Sequence, residues 1–178
     1  KGLAEVEYSF KKKKEYANEF PIHSLKVRYE SDVNQSGQNY LYTSKDNVFL
    51  ALKRQKDDRI GYQSKASVTY TNEFHSGFSF QLTTRLRKDE SSHLIPFIRQ
   101  DAEGTFVKSI STSELEVKLR YAPNEKFFQT QWNRFPVSLD APVFSLTHTM
   151  AAKDVLGGDY TYHYTEAGFQ KRFWFSAF

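Results

Sequence analysis

With 178 residues, 39% of them hydrophobic and 26% charged, and a mean hydropathy of -0.66, the chain is long enough to bury a core and too polar for a bundle of membrane helices. No run approaches the roughly 18 consecutive apolar residues of a spanning helix. The net charge of +4 is a mild excess, 25 Lys and Arg against 21 Asp and Glu, spread along the chain rather than gathered into a nucleic-acid surface, and the absence of Cys excludes disulfides and thiolate metal sites.

Taken in chain order, the first element is "AEVEYSFK", where Val6, Tyr8 and Phe10 alternate with Glu5, Glu7, Ser9 and Lys11. A period of two predicts a strand with one apolar and one polar face. The lysines at 11–14 follow it and read as a solvated loop or a contact with lipid headgroups. "LKVRY" repeats the alternation, with Leu25, Val27 and Tyr29 against Lys26 and Arg28. "NQSGQN" at 34–39 predicts a turn, 47–54 a strand, "QKDDRIG" at 55–61 a second connection and 62–72 another strand. In 77–87, Phe78, Phe80, Leu82 and Leu86 oppose Ser79, Gln81, Thr83, Arg85 and Arg87. The stretch 88–110 has no clean period and reads as a long loop with an irregular strand near Phe106. At 113–121, Leu115, Val117, Leu119 and Tyr121 oppose Glu114, Glu116, Lys118 and Arg120. After the turn "APNEK" come a weaker strand at 127–134 and one at 142–150, which Pro142 can only begin. "KDVLGGD" is a tight turn before a last, aromatic-rich strand over 160–175. There Tyr160, Tyr162 and Tyr164 take one face and Ala167, Phe169, Phe173 and Phe175 the other, predicting a bulge at Gly168. Roughly nine strands and no helix make an all-β antiparallel chain, 1–178 forming part of one domain without an internal boundary.

Two architectures share this pattern. A soluble β-sandwich turns the apolar faces inward, and its aromatics could bind a ligand such as carbohydrate. A membrane β-barrel turns the apolar faces to lipid and the charged faces to a wet lumen. Charged polar faces on strand after strand, strands of nine or more residues, and an aromatic share of 16% crowding the strand ends favour the barrel. In that arrangement Arg85, Arg87, Lys118 and Arg120 face the lumen, and with Lys26 and Arg28 they suggest an excess of positive potential inside, partly offset by Glu5, Glu7, Glu114 and Glu116.

The stretches "YAPNEKFFQT", "VSLDAPVFSLTHTMAAKDVLGGDYTYHYTEAGFQKRFWFSAF", "YLYTSKDNVFLALKRQKDDRIGYQSKASVTY" and "FHSGFSFQLTTRLR" resemble the barrel region of a family of Bacteroidota outer-membrane proteins. Members of that family carry an N-terminal carboxypeptidase-regulatory-like domain before the barrel. The resemblance implies an outer-membrane component with a transport, export or assembly role. Its expected partners are membrane lipid and other envelope proteins, with no nucleic acid. It also implies a longer protein with an upstream domain and further strands, consistent with a start, "KGLAEVEY", that reads as a mature segment or fragment. The distantly similar surface-antigen and assembly-factor barrels carry an arginine-glycine-aromatic motif in a lumenal loop. This sequence lacks that motif, which leaves an assembly activity without its marker.

Catalytic signals are sparse, and no enzyme, cofactor or metal is expected. The five histidines, at 23, 75, 93, 148 and 163, show no His-x-His or His-Glu-x-x-His spacing. Ser145 and His148, three apart on a strand, must face opposite sides, whereas a barrel phospholipase needs them on one side. Glu114 and Glu116 share a face, but Lys118 and Arg120 continue the row and make a charge ladder the better reading.

Overall fold

The computed structural model describes residues 2–11, 20–35, 60–91, 97–98, 106–130, 133–137 and 140–173. The alternation read from the sequence becomes seven long strands: β1 (Gly2–Ser9), β2 (His23–Gln35), β3 (Ile60–Glu73), β4 (Phe78–Glu90), β7 (Ser109–Tyr121), β10 (Val143–Ala151) and β11 (Tyr162–Gln170). They form one antiparallel sheet in the order β1-β2-β3-β4-β7-β10-β11. The intervening numbers belong to two small hairpins. One is β5 (Phe97–Ile98) with β6 (Phe106–Val107), and the other is β8 (Phe127–Gln129) with β9 (Arg134–Pro136). Each long strand therefore pairs with the next long strand in the chain, an up-and-down meander whose sheet is open at β1 and β11. No helix is present among the described residues.

Register fixes the faces. Val6 pairs with Val27, Val27 with Val68, Val68 with Thr84, Thr84 with Leu115, Leu115 with Met150, and Met150 with His163. Paired residues point to the same side, so this row and those two residues away build one largely apolar face. The row Glu5, Arg28, Ser67, Arg85, Glu114, Ala151 and Tyr162 belongs to the other, polar face.

Residues 10–11, 20–22, 74–77 and 122–126 lie at one end of the sheet, called here the turn end. The tight turn after β3 closes with Phe74 N–H donating to Phe78 O at 2.9 Å and Gly77 N–H to Phe74 O at 3.0 Å. Gly77 sits at φ 84°, and a Cβ there would strike the Ala122 carbonyl, so only glycine fits. Asn124 supplies φ 62° to the turn after β7. At the opposite end, the 152–161 turn folds on the start of β7. Asp159 N–H donates to Ser111 O at 2.9 Å, and Ser111 N–H donates to Asp159 Oδ2 at 2.7 Å.

Three expectations change. The 127–134 stretch is a hairpin rather than one strand, because Thr130 and Asn133 reverse the chain; Thr130 N–H donates to Asn133 O at 2.8 Å. The 88–110 stretch is shortened from both ends and holds the β5–β6 hairpin, since backbone rungs between Lys88–Glu90 and Ser109–Ser111 extend the ladder where neither side chain pattern is apolar. Gly168 makes no bulge. β11 pairs with β10 without a slip from Val143↔Gln170 to Ala151↔Tyr162, and Gly168 lies opposite Ser145, whose hydroxyl occupies the space a Cβ would need. Tyr162 and Tyr164 simply occupy the polar face near one strand end, while Ala167 and Phe169 occupy the apolar face near the other. The strand expected at 47–54 and the 34–39 turn lie, wholly or mostly, outside the described residues, as do Lys12, Lys13 and Lys14.

Candidate functional site

The polar face is a connected ladder of charge. Lys26 Nζ lies 3.2 Å from Glu5 and 3.3 Å from Glu7 across the β1–β2 rungs, and Arg28 bridges Glu5 at 3.4 Å and Glu30 at 3.1 Å. In the middle of the sheet Arg85 donates to Glu114 at 2.6 Å and to Glu116 at 3.4 Å. The Tyr162 hydroxyl donates to the second oxygen of Glu114 at 2.6 Å, which ties β4, β7 and β11 together across β10. Glu114 is only 4% exposed, and Ser24, Thr83 and Thr149 on the same face are also buried. Charge-assisted bonds to both carboxylate oxygens supply what a buried carboxylate requires.

Arg85, Arg87, Lys118 and Arg120 all lie on this face, as the alternation predicts. Carboxylates lie beside three of the four, two of them, Glu114 and Glu116, among those expected to offset the positive charge. Arg87 pairs with Asp89 at 2.9 Å, Arg120 pairs with Glu125 at 2.7 Å, and Arg85 has two carboxylates. Lys118 alone of the four has no ion pair among the described residues. Cross-strand register sets Glu114 opposite Arg85 and Glu5 opposite Arg28, so the offsetting carboxylates meet particular cations, and those pairings are what single-strand patterns cannot reveal.

At the turn end, the charged face is capped. Glu73, the last residue of β3, accepts from Arg134 of β9 at 2.7 and 2.9 Å and from Ile22 N–H at 2.9 Å. Both Glu73 oxygens are thus satisfied by charged or backbone donors. The Arg134 guanidinium also lies 4.4 Å from the centre of the Phe127 ring, and Phe127 packs on Phe20 at 5.3 Å. At the turn end is a cleft of about 440 Å³ lined by Glu73, Ser79, Arg120, Glu125, Phe20 and, from the hairpin, Phe127 among others. Sequence reading missed Glu73, Arg134 and Tyr162 as members of this constellation. The only trace was the broken alternation at 127–134, and no local pattern links residues 61 positions apart.

The opposite face is apolar and open. Val6 is 72% exposed, Val68 45%, Leu82 40% and Phe169 62%, and no large side chain is fully buried among the described residues. A belt of rings crosses it at the turn end. Phe10 contacts Tyr8 at 5.1 Å and His23 at 4.6 Å. His23 hydrogen-bonds the Tyr70 hydroxyl at 2.9 Å, and Tyr70 meets Phe80 at 5.7 Å. Phe74 then contacts both Phe80 and Phe78, and the row Phe78, Tyr121, Phe144 and Phe169 completes the crossing to β11, with Phe144 and Phe169 5.0 Å apart. All seven long strands or their adjoining turns take part. Toward the other end the face turns polar, where Lys88 and Glu90 pair at 2.7 Å.

Ser145 and His148 do face opposite sides. His148 is on the apolar side, bonded to the Thr165 hydroxyl at 2.7 Å, and Ser145 on the polar side opposite Gly168. No group of three metal-ligating side chains occurs among the described residues. Comparison with known protein families, curated proteins and solved structures finds no match to this chain.

Proposed function

We propose that this chain is part of the wall of an antiparallel outer-membrane β-barrel, a non-enzymatic transport, export or assembly component of the cell envelope. In this reading the apolar face meets lipid and the charged face lines a hydrated interior. The observation that carries it is the aromatic belt across one end of an apolar face seven strands wide. Interfacial girdles of Tyr and Phe flanking an apolar band are the signature of a membrane barrel. On β4 the band runs from Phe78 to Leu86 before Lys88 ends it. Eight rises of about 3.4 Å give about 27 Å along the strand, or about 21 Å of height at a 40° tilt, close to the ~25 Å band of such barrels. Long strands joined in chain order suit the same architecture, and a compensated interior fits water better than hydrocarbon.

Cysteine scanning tests it cleanly because the chain has no Cys of its own. Spin labels at Val68, Leu82 and Leu146 of the full-length protein in liposomes should be accessible to oxygen and shielded from a polar relaxation agent. Labels at Ser67 and Thr147 should show the reverse. Apolar positions closed to both agents in a protein that stays soluble without detergent would instead mean that a second sheet covers them, as in a ligand-binding sandwich.

A further inference from the structure

Away from the turn end, the apolar face closes in a row unlike the rest of it. Ser31, Ser64, Lys88 and Ser111 lie in register across β2, β3, β4 and β7, two residues beyond the row of Tyr29, Ala66 and Leu86. Among the described residues, Lys88 is the only lysine or arginine that the long strands carry on this face. Short side chains around one long one leave a hollow. It measures about 260 Å³ and is lined by Tyr29, Ser64, Leu86, Lys88, Ser111 and, from the 152–161 turn, Leu156 among others. Leu156 is 71% exposed and sits at φ 49°, a left-handed backbone that a leucine seldom adopts. The turn holds it there: Asp154 N–H donates to Gly158 O at 2.8 Å, Gly158 N–H donates to Val155 O at 3.0 Å, and Asp159 pairs with the Ser111 backbone through its amide and its carboxylate. An exposed apolar side chain is thus fixed against a hollow that also contains a cation and hydroxyls.

We propose that this hollow binds the phosphate group of a membrane lipid, with the Lys88 ammonium and the Ser64 and Ser111 hydroxyls donating to phosphate oxygens and with Tyr29, Leu86 and Leu156 against the start of an acyl chain. This rests on the apolar face meeting lipid and deepens that reading. On β4, Leu86 is the last apolar residue of the band and Lys88 the first residue of that face beyond it, which is the level of the headgroups. A lysine there lays its stem along hydrocarbon and its charge among phosphates, and hydroxyls beside it add donors. A free phosphate would leave the apolar walls without an occupant. Glu90 competes for Lys88 at 2.7 Å, but both side chains are half-exposed, where such a pair contributes little, and Glu90 does not line the hollow. Asp159, the other carboxylate beside this row, accepts from Ser111 N–H at 2.7 Å.

Native mass spectrometry of the full-length protein, released from a phosphate-free detergent, tests the site with palmitoyl-oleoyl phosphatidylglycerol, the matching diacylglycerol and inorganic phosphate as probes. Wild type should retain phosphatidylglycerol several-fold better than diacylglycerol, and inorganic phosphate at the same concentration should not displace it. Lys88→Ser should lower retention several-fold. Leu156→Asn should lower it as well, by removing the apolar wall with a residue that is at ease at this φ. Glu90→Gln should raise retention, a gain that loss of structure cannot give, and Lys118→Gln on the other face should leave it unchanged. If Lys88→Ser and Glu90→Gln retain phosphatidylglycerol as wild type does, while a spin label at Leu82 in liposomes is accessible to oxygen, the phosphate site is overturned and the lipid-facing reading survives. Displacement by inorganic phosphate alone would make this a site for a free anion and overturn the lipid assignment. If neither lipid is retained and the Leu82 label is closed to oxygen, the lipid-facing reading fails and the site with it.

Discussion

Glu114 carries a formal charge and is 4% exposed, while Val6, at the edge of the same sheet, is 72% exposed. The two faces of the sheet thus reverse the usual sorting of side chains in a water-soluble domain. On the polar face, short Ser and Thr side chains are sheltered between long paired ones, such as the bonded hydroxyls of Thr69 and Thr83, 3.2 Å apart. On the other face, Val, Leu and aromatic groups stand in the open. An apolar face this wide gains stability only from something that covers it, whereas the charged face is already satisfied by its own partners. The comparison locates the driving force for assembly on the apolar side and the specificity on the charged side.

The sharpest way to break this comparison is to exchange the character of the faces. Leu82→Arg places a charge in the middle of the apolar band, and in a bilayer it should cost about 2 to 4 kcal/mol and prevent insertion. Folding into liposomes, followed by urea titration, measures it. A cost within about 0.5 kcal/mol, ordinary for an exposed site in water, would show that lipid does not cover this face.

On the charged side the largest effect should come from Arg85. Removing it by Arg85→Ala leaves Glu114 buried with Tyr162 as its one hydrogen-bond partner among the described residues, and the expected loss is about 1 to 3 kcal/mol. Reversal by Arg85→Glu should cost more, and combining it with Glu114→Arg should restore part of the loss in a double-mutant cycle. Strict additivity of the two reversals would mean that the 2.6 Å contact carries no stability.

The glycines separate backbone constraint from side-chain constraint within the same sheet. Gly77→Ala meets both a left-handed φ and the Ala122 carbonyl, and should cost about 1 to 3 kcal/mol. Gly168→Ala meets only the Ser145 hydroxyl, which can rotate away, and should cost less than about 1 kcal/mol. Equal losses in thermal unfolding would imply that Gly168 is held by backbone after all.

Much of this fold was legible because a strand states its faces locally. Leu115, Val117 and Leu119 against Glu114, Glu116 and Lys118 give both the element and its two sides from one short window. What no window contains is register. Carboxylates on the charged face were legible, since Glu114 and Glu116 share it with Lys118 and Arg120, but the pairing of Arg85 with Glu114 depends on which residue lies across the gap. The Glu73–Arg134 contact is further out of reach, since it joins a strand end to a hairpin that the sequence presents as one weak strand. At Gly168 local reading over-interpreted composition: aromatics on opposite sides near opposite strand ends imitate a change of phase that the unbroken register with β10 excludes.

The smallest expected effect is at Lys118, and it sharpens the comparison from within the charged face. Lys118 pairs in register with Gln81 and Thr147, neither of them charged, and has no ion pair among the described residues. Lys118→Gln should therefore change stability by no more than about 0.5 kcal/mol, in contrast to Arg85 two rungs away. If the face lines a conducting path, removing a cation that has no ion pair among the described residues should shift the reversal potential toward cation selectivity while unfolding stays as in wild type. Lys118→Glu should shift it further in the same direction. A stability loss as large as that of Arg85→Ala, with no change in selectivity, would make Lys118 a structural member of the ladder and remove it from the path.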